Sequence, residues 1–244
     1  MITKIKDYIV SKIKQNYFPL NYTCNVCEKE VFDKEYFCQN CKKELYKIDE
    51  NRCNHCGRKT PYKVEYCDSC IDKNLDFYEA RSLYEYKGSI QAVIKRLKYN
   101  EKTYLADLFI NDLANLYYSR FMNCDVVISV PMTKSAIKQR GYNQSEIIAK
   151  KVAKVLDLPY SNQIVVKVKE TERQATLDVT KRLENLKGAF KVDKSKLKYK
   201  NVLLVDDVLT TGTTCNLISN MLVKKGVEKV FVLTLASVQK ENND

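Results

Sequence analysis

With 244 residues, the chain fits one large domain or a small domain joined to a medium one. Its 45% apolar content, with 17 Tyr and 8 Phe to fill a core, excludes global disorder, and 4 Pro and 6 Gly are too few for long flexible linkers. The formal net charge of +12 draws nucleic acid, nucleotides or anionic lipid, unless the Lys residues, spread along the whole chain, only solvate it.

Residues 1–18 place Ile2, Ile5, Ile9 and Ile13 at near-helical spacing with Lys between them, the pattern of a short amphipathic helix. Packing against the rest of the protein is favoured for its apolar stripe over a membrane-surface role. The same stretch is too polar for a secretory signal, and no run approaches the ~18–20 apolar residues of a membrane span. A cytoplasmic location is expected, and ten Cys in a reducing compartment point to metal rather than disulfides.

Residues 24–70 hold four CxxC pairs, Cys24–Cys27, Cys38–Cys41, Cys53–Cys56 and Cys67–Cys70, separated by ten, eleven and ten residues. Two Cys three apart grip one metal from a tight knuckle, and two knuckles close a tetrahedral shell of four thiolates. The near-equal gaps indicate an internal duplication with one zinc per half. A helix is expected to start within residues 38–46, as in treble-clef sites. Sequential pairing puts Cys24, Cys27, Cys38 and Cys41 on one Zn2+ and Cys53, Cys56, Cys67 and Cys70 on the other. It closes the shortest loops and is favoured on entropy, with an interleaved pairing left open. Filled shells read as structural; nucleic-acid binding is the alternative use of such ribbons. Eight thiolates and two zinc ions leave a net charge of about +8. His55, the only His, reads as a solvent-facing knuckle residue, and Cys124 and Cys215 read as packing residues.

Beyond residue 76 no CxxC occurs and α/β patterning begins. The expected domains are 1–75, an N-terminal helix and double four-cysteine module, and 76–244. The second is expected to hold a strand at Arg81–Tyr86 and helices at Ser89–Tyr99 and Thr103–Tyr118. A strand buried on both faces follows in Asp125–Pro131, then a helix at Asn143–Leu156 and strands at Ile164–Val168 and Asn201–Asp206. A helix over Thr213–Lys225, stopped by Gly226, and a strand at Val230–Ala236 complete it. Strands alternating with helices define an α/β fold with a mainly parallel sheet.

The stretch Asn201–Thr214, NVLLVDDVLTTGTT, carries the chemistry. An apolar strand ends on two carboxylates, Asp206 and Asp207, and a small hydroxylated loop, Thr210, Thr211, Gly212, Thr213 and Thr214, opens a helix. Ligands of open α/β sheets bind beyond the carboxyl ends of strands, and a helix N-terminus offers unpaired N–H groups to a phosphate. Gly212 lets the backbone approach closely, Thr hydroxyls donate further, and the carboxylates accept from vicinal sugar hydroxyls or sit near Mg2+ on a diphosphate.

This stretch resembles the diphosphoribosyl-binding motif of type I phosphoribosyltransferases. The resemblance implies that Asp206 and Asp207 bind the ribose hydroxyls of PRPP as the catalytic pair, and that Thr210 to Thr214 cradle its 5′-phosphate. A narrower resemblance, to the ComF/GntX family of phosphoribosyltransferase-like proteins with an N-terminal zinc ribbon, covers nearly the whole chain. Its pieces are the CxxC array, YKGSIQAVIKRLKY at Tyr86–Tyr99, VISVPMTKSAIKQRGYNQSEIIA at Val127–Ala149, TERQATLDVTKRLENLKGAF at Thr171–Phe190, and the PRPP loop. The chain departs from the family pattern at Val130-Pro131-Met132-Thr133-Lys134, where active transferases grip the diphosphate; Lys134, Lys138 and Arg140 supply basic groups there.

The ComF resemblance implies a cytoplasmic DNA-uptake factor for natural competence. It would bind PRPP and handle incoming single-stranded DNA, with a helicase-like competence protein as partner. The competing expectation is a phosphoribosyltransferase enzyme acting on PRPP, Mg2+ and an unidentified acceptor. Arg173, Gln174, Arg182 and Asn185 are polar candidates for the acceptor segment, or plain surface contacts. A third reading is a scaffold whose zinc ribbons dock a protein.

Overall fold

The computed structural model describes residues 23–31, 35–73, 75–99, 102–120, 123–171 and 186–239. The helix expected at 1–18 and the acceptor candidates Arg173, Gln174, Arg182 and Asn185 lie outside the described residues.

The cysteine-rich region builds one pattern twice. In the first copy Glu28 N–H donates to Cys24 O at 3.0 Å and Asn25 N–H to Tyr36 O at 3.0 Å. In the second, Gly57 N–H donates to Cys53 O at 2.9 Å and Asn54 N–H to Val64 O at 2.8 Å. Each copy then starts a short helix directly after its third cysteine, α1 (Gln39–Lys43) after Cys38 and α2 (Asp68–Ile71) after Cys67. Gly57 is held at φ +68°, and a Cβ there would meet Ala80 O at 2.3 Å, so only glycine lets the second knuckle lie this close to the following strand.

That strand is β1 (Glu79–Glu85), followed by α3 (Ser89–Tyr99), a 3-10 turn at Thr103–Ala106 and α4 (Asp107–Tyr118). Next come β2 (Val126–Ser129), α5 (Lys134–Arg140), α6 (Gln144–Leu156), the two-residue β3 (Tyr160–Ser161), β4 (Val165–Lys167) and β5 (Phe190–Val192). The chain closes with β6 (Asn201–Leu209), α7 (Thr213–Val223) and β7 (Lys229–Ser237). Five strands form one parallel sheet in the order β1-β7-β6-β2-β3.

Strand alternation sorts the core into two layers. Val127, Leu203, Val205, Leu233 and Leu235 pack with α3, α4 and α6, through residues such as Ile94, Phe109 and Ile148. Val126, Ile128, Val202, Leu204 and Val232 pack with Ile218 and Leu222 of α7, and with Cys53, Cys56 and Cys70 of the second four-cysteine group. Both faces are covered, which explains the near-continuous apolar strand sequences.

Three elements differ from the sequence reading. The segment at Ile164–Val168 is outside the parallel sheet; β4 pairs antiparallel with β5 as a separate two-stranded ribbon. The stretch after β2 is helical, and α5 buries no residue, so it carries no apolar period to read. β6 runs on to Leu209, because β7 pairs with it as far as Leu209 opposite Ser237.

Candidate phosphoribosyl site and metal centres

β2 leads outward to β3, while β6 leads the other way through β7, so the strand order reverses between β2 and β6. In open α/β sheets ligands bind at that reversal, beyond the carboxyl ends of the strands. A cleft of about 620 Å³ opens there, lined by residues 130–133 after β2, by Lys98, Arg140 and Gln144, and by Asp206 and Thr214.

The two carboxylates are not equivalent. Successive side chains leave a strand on opposite faces. Asp207 is 4% exposed, and its Oδ2 accepts from Gln144 Nε2 at 2.7 Å and lies 3.0 Å from Lys98 Nζ. Asp206 faces the cleft; its Oδ1 accepts from Ser145 Oγ at 2.7 Å and Asp207 N–H at 2.9 Å, which leaves Oδ2 for a ligand. Burial, and then the neighbouring Asp207 charge, push the Asp206 carboxyl up to about 7 against the Ser145 hydrogen bond. Burial works to lower Lys98, but the Asp207 carboxylate prevails and holds its ammonium above the ordinary value. The network continues outward: Arg140 Nη1 donates to Gln144 Oε1 at 2.8 Å, and the guanidinium lies 5.3 Å from the centroid of the Tyr99 ring. Asn143 fixes the start of α6, accepting from Ser145 N–H at 3.1 Å and donating to Val130 O at 3.0 Å.

Gly212, at φ +81°, precedes α7, whose N-terminal end faces the loop. Thr210, Gly212, Thr213 and Thr214 line a small pocket of about 50 Å³ that shares Asp206 with the larger cleft. The Thr211 and Thr213 hydroxyls bond each other at 2.7 Å. One carboxylate therefore stands between a phosphate-sized cradle and a wider basin. Of the three basic residues after β2, Arg140 lines the basin, while Lys134 and Lys138 are exposed on α5. Thr133 and Ser135 in that turn both donate to Glu170.

The structure brings Cys24, Cys27, Cys38 and Cys41 together, and separately Cys53, Cys56, Cys67 and Cys70, each with all sulfurs within 4.8 Å of one another. Tetrahedral Zn2+ at ~2.3 Å from each thiolate sets sulfurs ~3.8 Å apart. Cys27 and Cys38 are 3.6 Å apart, and the Cys53–Cys70, Cys56–Cys67 and Cys67–Cys70 spacings are 3.8, 3.7 and 3.7 Å. Both sets fit structural zinc with every position filled. His55 departs from the expected solvent-facing position. It is half-buried, its ring stacked 5.1 Å from Phe77 with the Tyr66 ring tilted at 5.3 Å, and burial lowers its pKa. Cys124 and Cys215 are buried, as expected of packing residues. Among the described residues no helix is long and apolar enough to cross a membrane.

Sequence reading missed Lys98, Ser145 and Arg58. Lys98 and Ser145 lie inside the quoted family elements, yet nothing local marks them as partners of Asp207 and Asp206, which are far away in sequence.

Residues 15–71 match the family model of the double zinc ribbon domain, and residues 142–243 that of the phosphoribosyl transferase domain. Fold and site thus define a protein with paired four-cysteine zinc ribbons and a phosphoribosyltransferase-like α/β domain. Competence protein F of Haemophilus influenzae is 33% identical over 195 residues, 75% of this chain and 83% of that protein. Competence protein ComFC of Bacillus subtilis is 26% identical over 190 residues, 75% of each chain. The chain belongs to the ComF family. Among solved structures, the purine phosphoribosyltransferase of Pyrococcus horikoshii is similar at 18% identity and a TM-score of 0.34, covering 55% of this chain and 73% of that one.

Proposed function

We propose that the protein is a cytoplasmic DNA-uptake factor that binds PRPP with Mg2+ at the β6 loop and handles single-stranded DNA. Asp206 carries the reading, because it lies between the Thr210–Thr214 cradle and the basin, where a ribose joining a 5′-phosphate to a C1 diphosphate belongs. The names of the relatives in Haemophilus influenzae and Bacillus subtilis support the DNA-uptake role. In this reading the cradle takes the 5′-phosphate, Asp206 Oδ2 accepts from the ribose hydroxyls, and Arg140 and Lys98 face the diphosphate. Asp207, bonded to Lys98 and Gln144, positions that wall. Mg2+ would neutralise diphosphate charge, and carboxylate oxygens suit it. The basic chain draws the DNA strand by counterion release. A helicase-like competence protein is the proposed partner.

A second reading, transfer of phosphoribosyl to an acceptor, is favoured by the breadth of the basin, which continues past Asp206 to Tyr99, Met132 and Phe190. The C1–diphosphate bond would break toward an oxocarbenium-like state, with the cationic wall stabilising the leaving group.

Calorimetry with PRPP and Mg2+ tests the shared core. Wild type is expected to bind with micromolar affinity, and Asp206→Ala plus Asp207→Ala to lose at least about 100-fold, on the order of 3 kcal/mol. Absence of wild-type binding overturns both readings. In parallel, affinity for an oligo-dT strand is expected to fall steeply between 50 and 200 mM salt; salt-insensitive or absent binding removes the DNA-handling half.

A further inference from the structure

We infer that Arg58 is a positioning residue through which the second zinc centre sets the phosphate loop, so that the metal and the phosphoribosyl ligand are thermodynamically coupled. The ligand half of this inference rests on the PRPP reading above; the metal-to-loop half stands on geometry alone.

Arg58 belongs to the knuckle: its carbonyl accepts from Cys53 N–H at 2.9 Å. Its side chain, 8% exposed, lies between the Cys56 sulfur and the end of the sheet. Nη1 lies 3.8 Å from Cys56 Sγ, Nε donates to Val238 O at 3.0 Å, and Nη2 donates to Thr210 O. Val238 N–H in turn donates to Leu209 O at 3.0 Å. One guanidinium therefore joins a metal ligand, the residue after β7 and the first residue of the phosphate loop. A planar fork of donors suits three acceptors in fixed directions, which a Lys ammonium does not reproduce.

Two further contacts brace the same junction. Phe77, stacked on His55 of the knuckle, has ring carbon Cε1 3.8 Å from where a Cβ on Gly212 would sit. Asn216 Oδ1 in the first turn of α7 accepts from Asp76 N–H at 2.5 Å. The knuckle and the loop thus face each other through Arg58, Phe77 and Asp76.

The chemistry gives this contact a direction. Among the described residues the polar partners of the Arg58 guanidinium are two carbonyls and the Cys56 sulfur. A zinc-held thiolate is the anion that a buried cation in this place needs, and charge-assisted contacts are the stronger ones. Zinc fixes the knuckle backbone, the knuckle fixes Arg58, and Arg58 fixes the Thr210 carbonyl, which orients the N–H groups after it. Coupling between two binding sites is reciprocal, so a ligand in the cradle strengthens retention of the second zinc.

Amide hydrogen exchange and calorimetry on the full, zinc-loaded chain test this. Arg58→Met is expected to keep two zinc ions per chain, to speed exchange in residues 209–215 by about tenfold, and to weaken PRPP binding by a similar factor. Arg58→Lys, which keeps the charge but loses the fork, is expected to recover part of both. Arg96→Met, which removes a contact of the first knuckle at Val26 O, is the control and leaves exchange in 209–215 unchanged. Equal loop exchange and PRPP affinity in wild type and Arg58→Met overturn the inference. Should Arg58→Met fail to fold, zinc release from wild type to a coloured chelator decides. Saturating PRPP slows the slower-released ion about tenfold if the sites are coupled, and equal rates overturn the coupling. If wild type binds no PRPP, the function reading fails, while loop exchange in Arg58→Met, or in wild type stripped of its second zinc, still decides the metal-to-loop half.

Discussion

The two four-cysteine centres share ligand spacing, knuckle hydrogen bonds and the helix after the third cysteine, yet they are embedded differently. The first keeps a small apolar cluster of its own, Cys24, Val31 and Cys41, and Cys27 is exposed. It meets the α/β domain at its edge, through polar contacts of Arg96 Nη2 with Val26 O at 2.9 Å and Glu28 at 3.1 Å and of Tyr104 Oη with Asn25 Oδ1 at 3.1 Å, and through the half-buried Val26 and Phe37, the latter beside Phe109. In the second, Cys53 and Cys56 are 0% exposed and belong to the layer beneath the sheet. Arg81 of β1, 1% exposed, donates to Asn54 O at 2.8 Å inside that knuckle. Ligand spacing encodes the metal; what packs on the knuckle decides whether the fold depends on it.

Removing one ligand from each centre puts the largest strain on this comparison. Cys27→Ser and Cys56→Ser are each expected to leave one zinc per chain by metal analysis. Structural zinc sites contribute folding free energy directly. Cys56→Ser is therefore expected to lower the main calorimetric transition by roughly 10 °C or more, and Cys27→Ser by about 3 °C or less. Equal losses would mean that both ribbons are built into one cooperative unit.

A smaller effect lies at the loop that the second centre supports. Desolvation at the floor of the cleft, and then the Asp207 charge, push the Asp206 carboxyl up to about 7 in the fold, well above an unfolded Asp. A raised folded value means that this group's stabilisation is complete below about pH 4 and is lost as pH rises through 7. Asp206→Asn, which resembles the protonated form, is expected to gain on the order of 2 kcal/mol over wild type at pH 8, less at pH 5 and little at pH 4. The gain should fall in the main transition, with the second centre and the sheet. A gain confined to a separate first-ribbon transition would contradict the division drawn above. The variant should also bind PRPP more weakly, the usual exchange of stability for a functional site.

The Asp206–Thr214 loop and the eight cysteines were legible because their chemistry is contiguous or regularly spaced. Strand, carboxylates, glycine and Thr residues occupy one run, and four CxxC pairs repeat at near-equal gaps. Partners supplied across the fold were not legible. Lys98 reaches Asp207 from α3, and Arg58 reaches Thr210 from 152 residues away, contacts that exist only once parallel strands are stacked. The helical turn of α5 escaped because it buries nothing. The extension of β6 to Leu209 escaped because two Asp residues read as a strand end, whereas pairing with β7 overrides that local preference. His55 escaped because nothing local shows that Phe77 closes over the knuckle.

The smallest effect probes the first ribbon's docking. Tyr104 is 46% exposed, so replacing it with Phe keeps the ring and removes the bond to Asn25, itself 6% exposed. Asn25 retains its other bond, Nδ2 to Tyr36 O at 3.0 Å, so one acceptor loses a partner near solvent that can replace it. The cost is expected to be about 0.5–1 kcal/mol, felt by the ribbon and not by the sheet. Tyr104→Phe should leave the main transition within about 1 °C of wild type while zinc leaves the first centre a few times faster. A chelator time course shows this directly, because Cys27 is the exposed ligand and its centre should release first. A drop in the main transition matching that of Cys27→Ser would show that the first ribbon's contacts with α3 and the turn before α4 are part of the core, and the contrast between the two centres would then be one of degree.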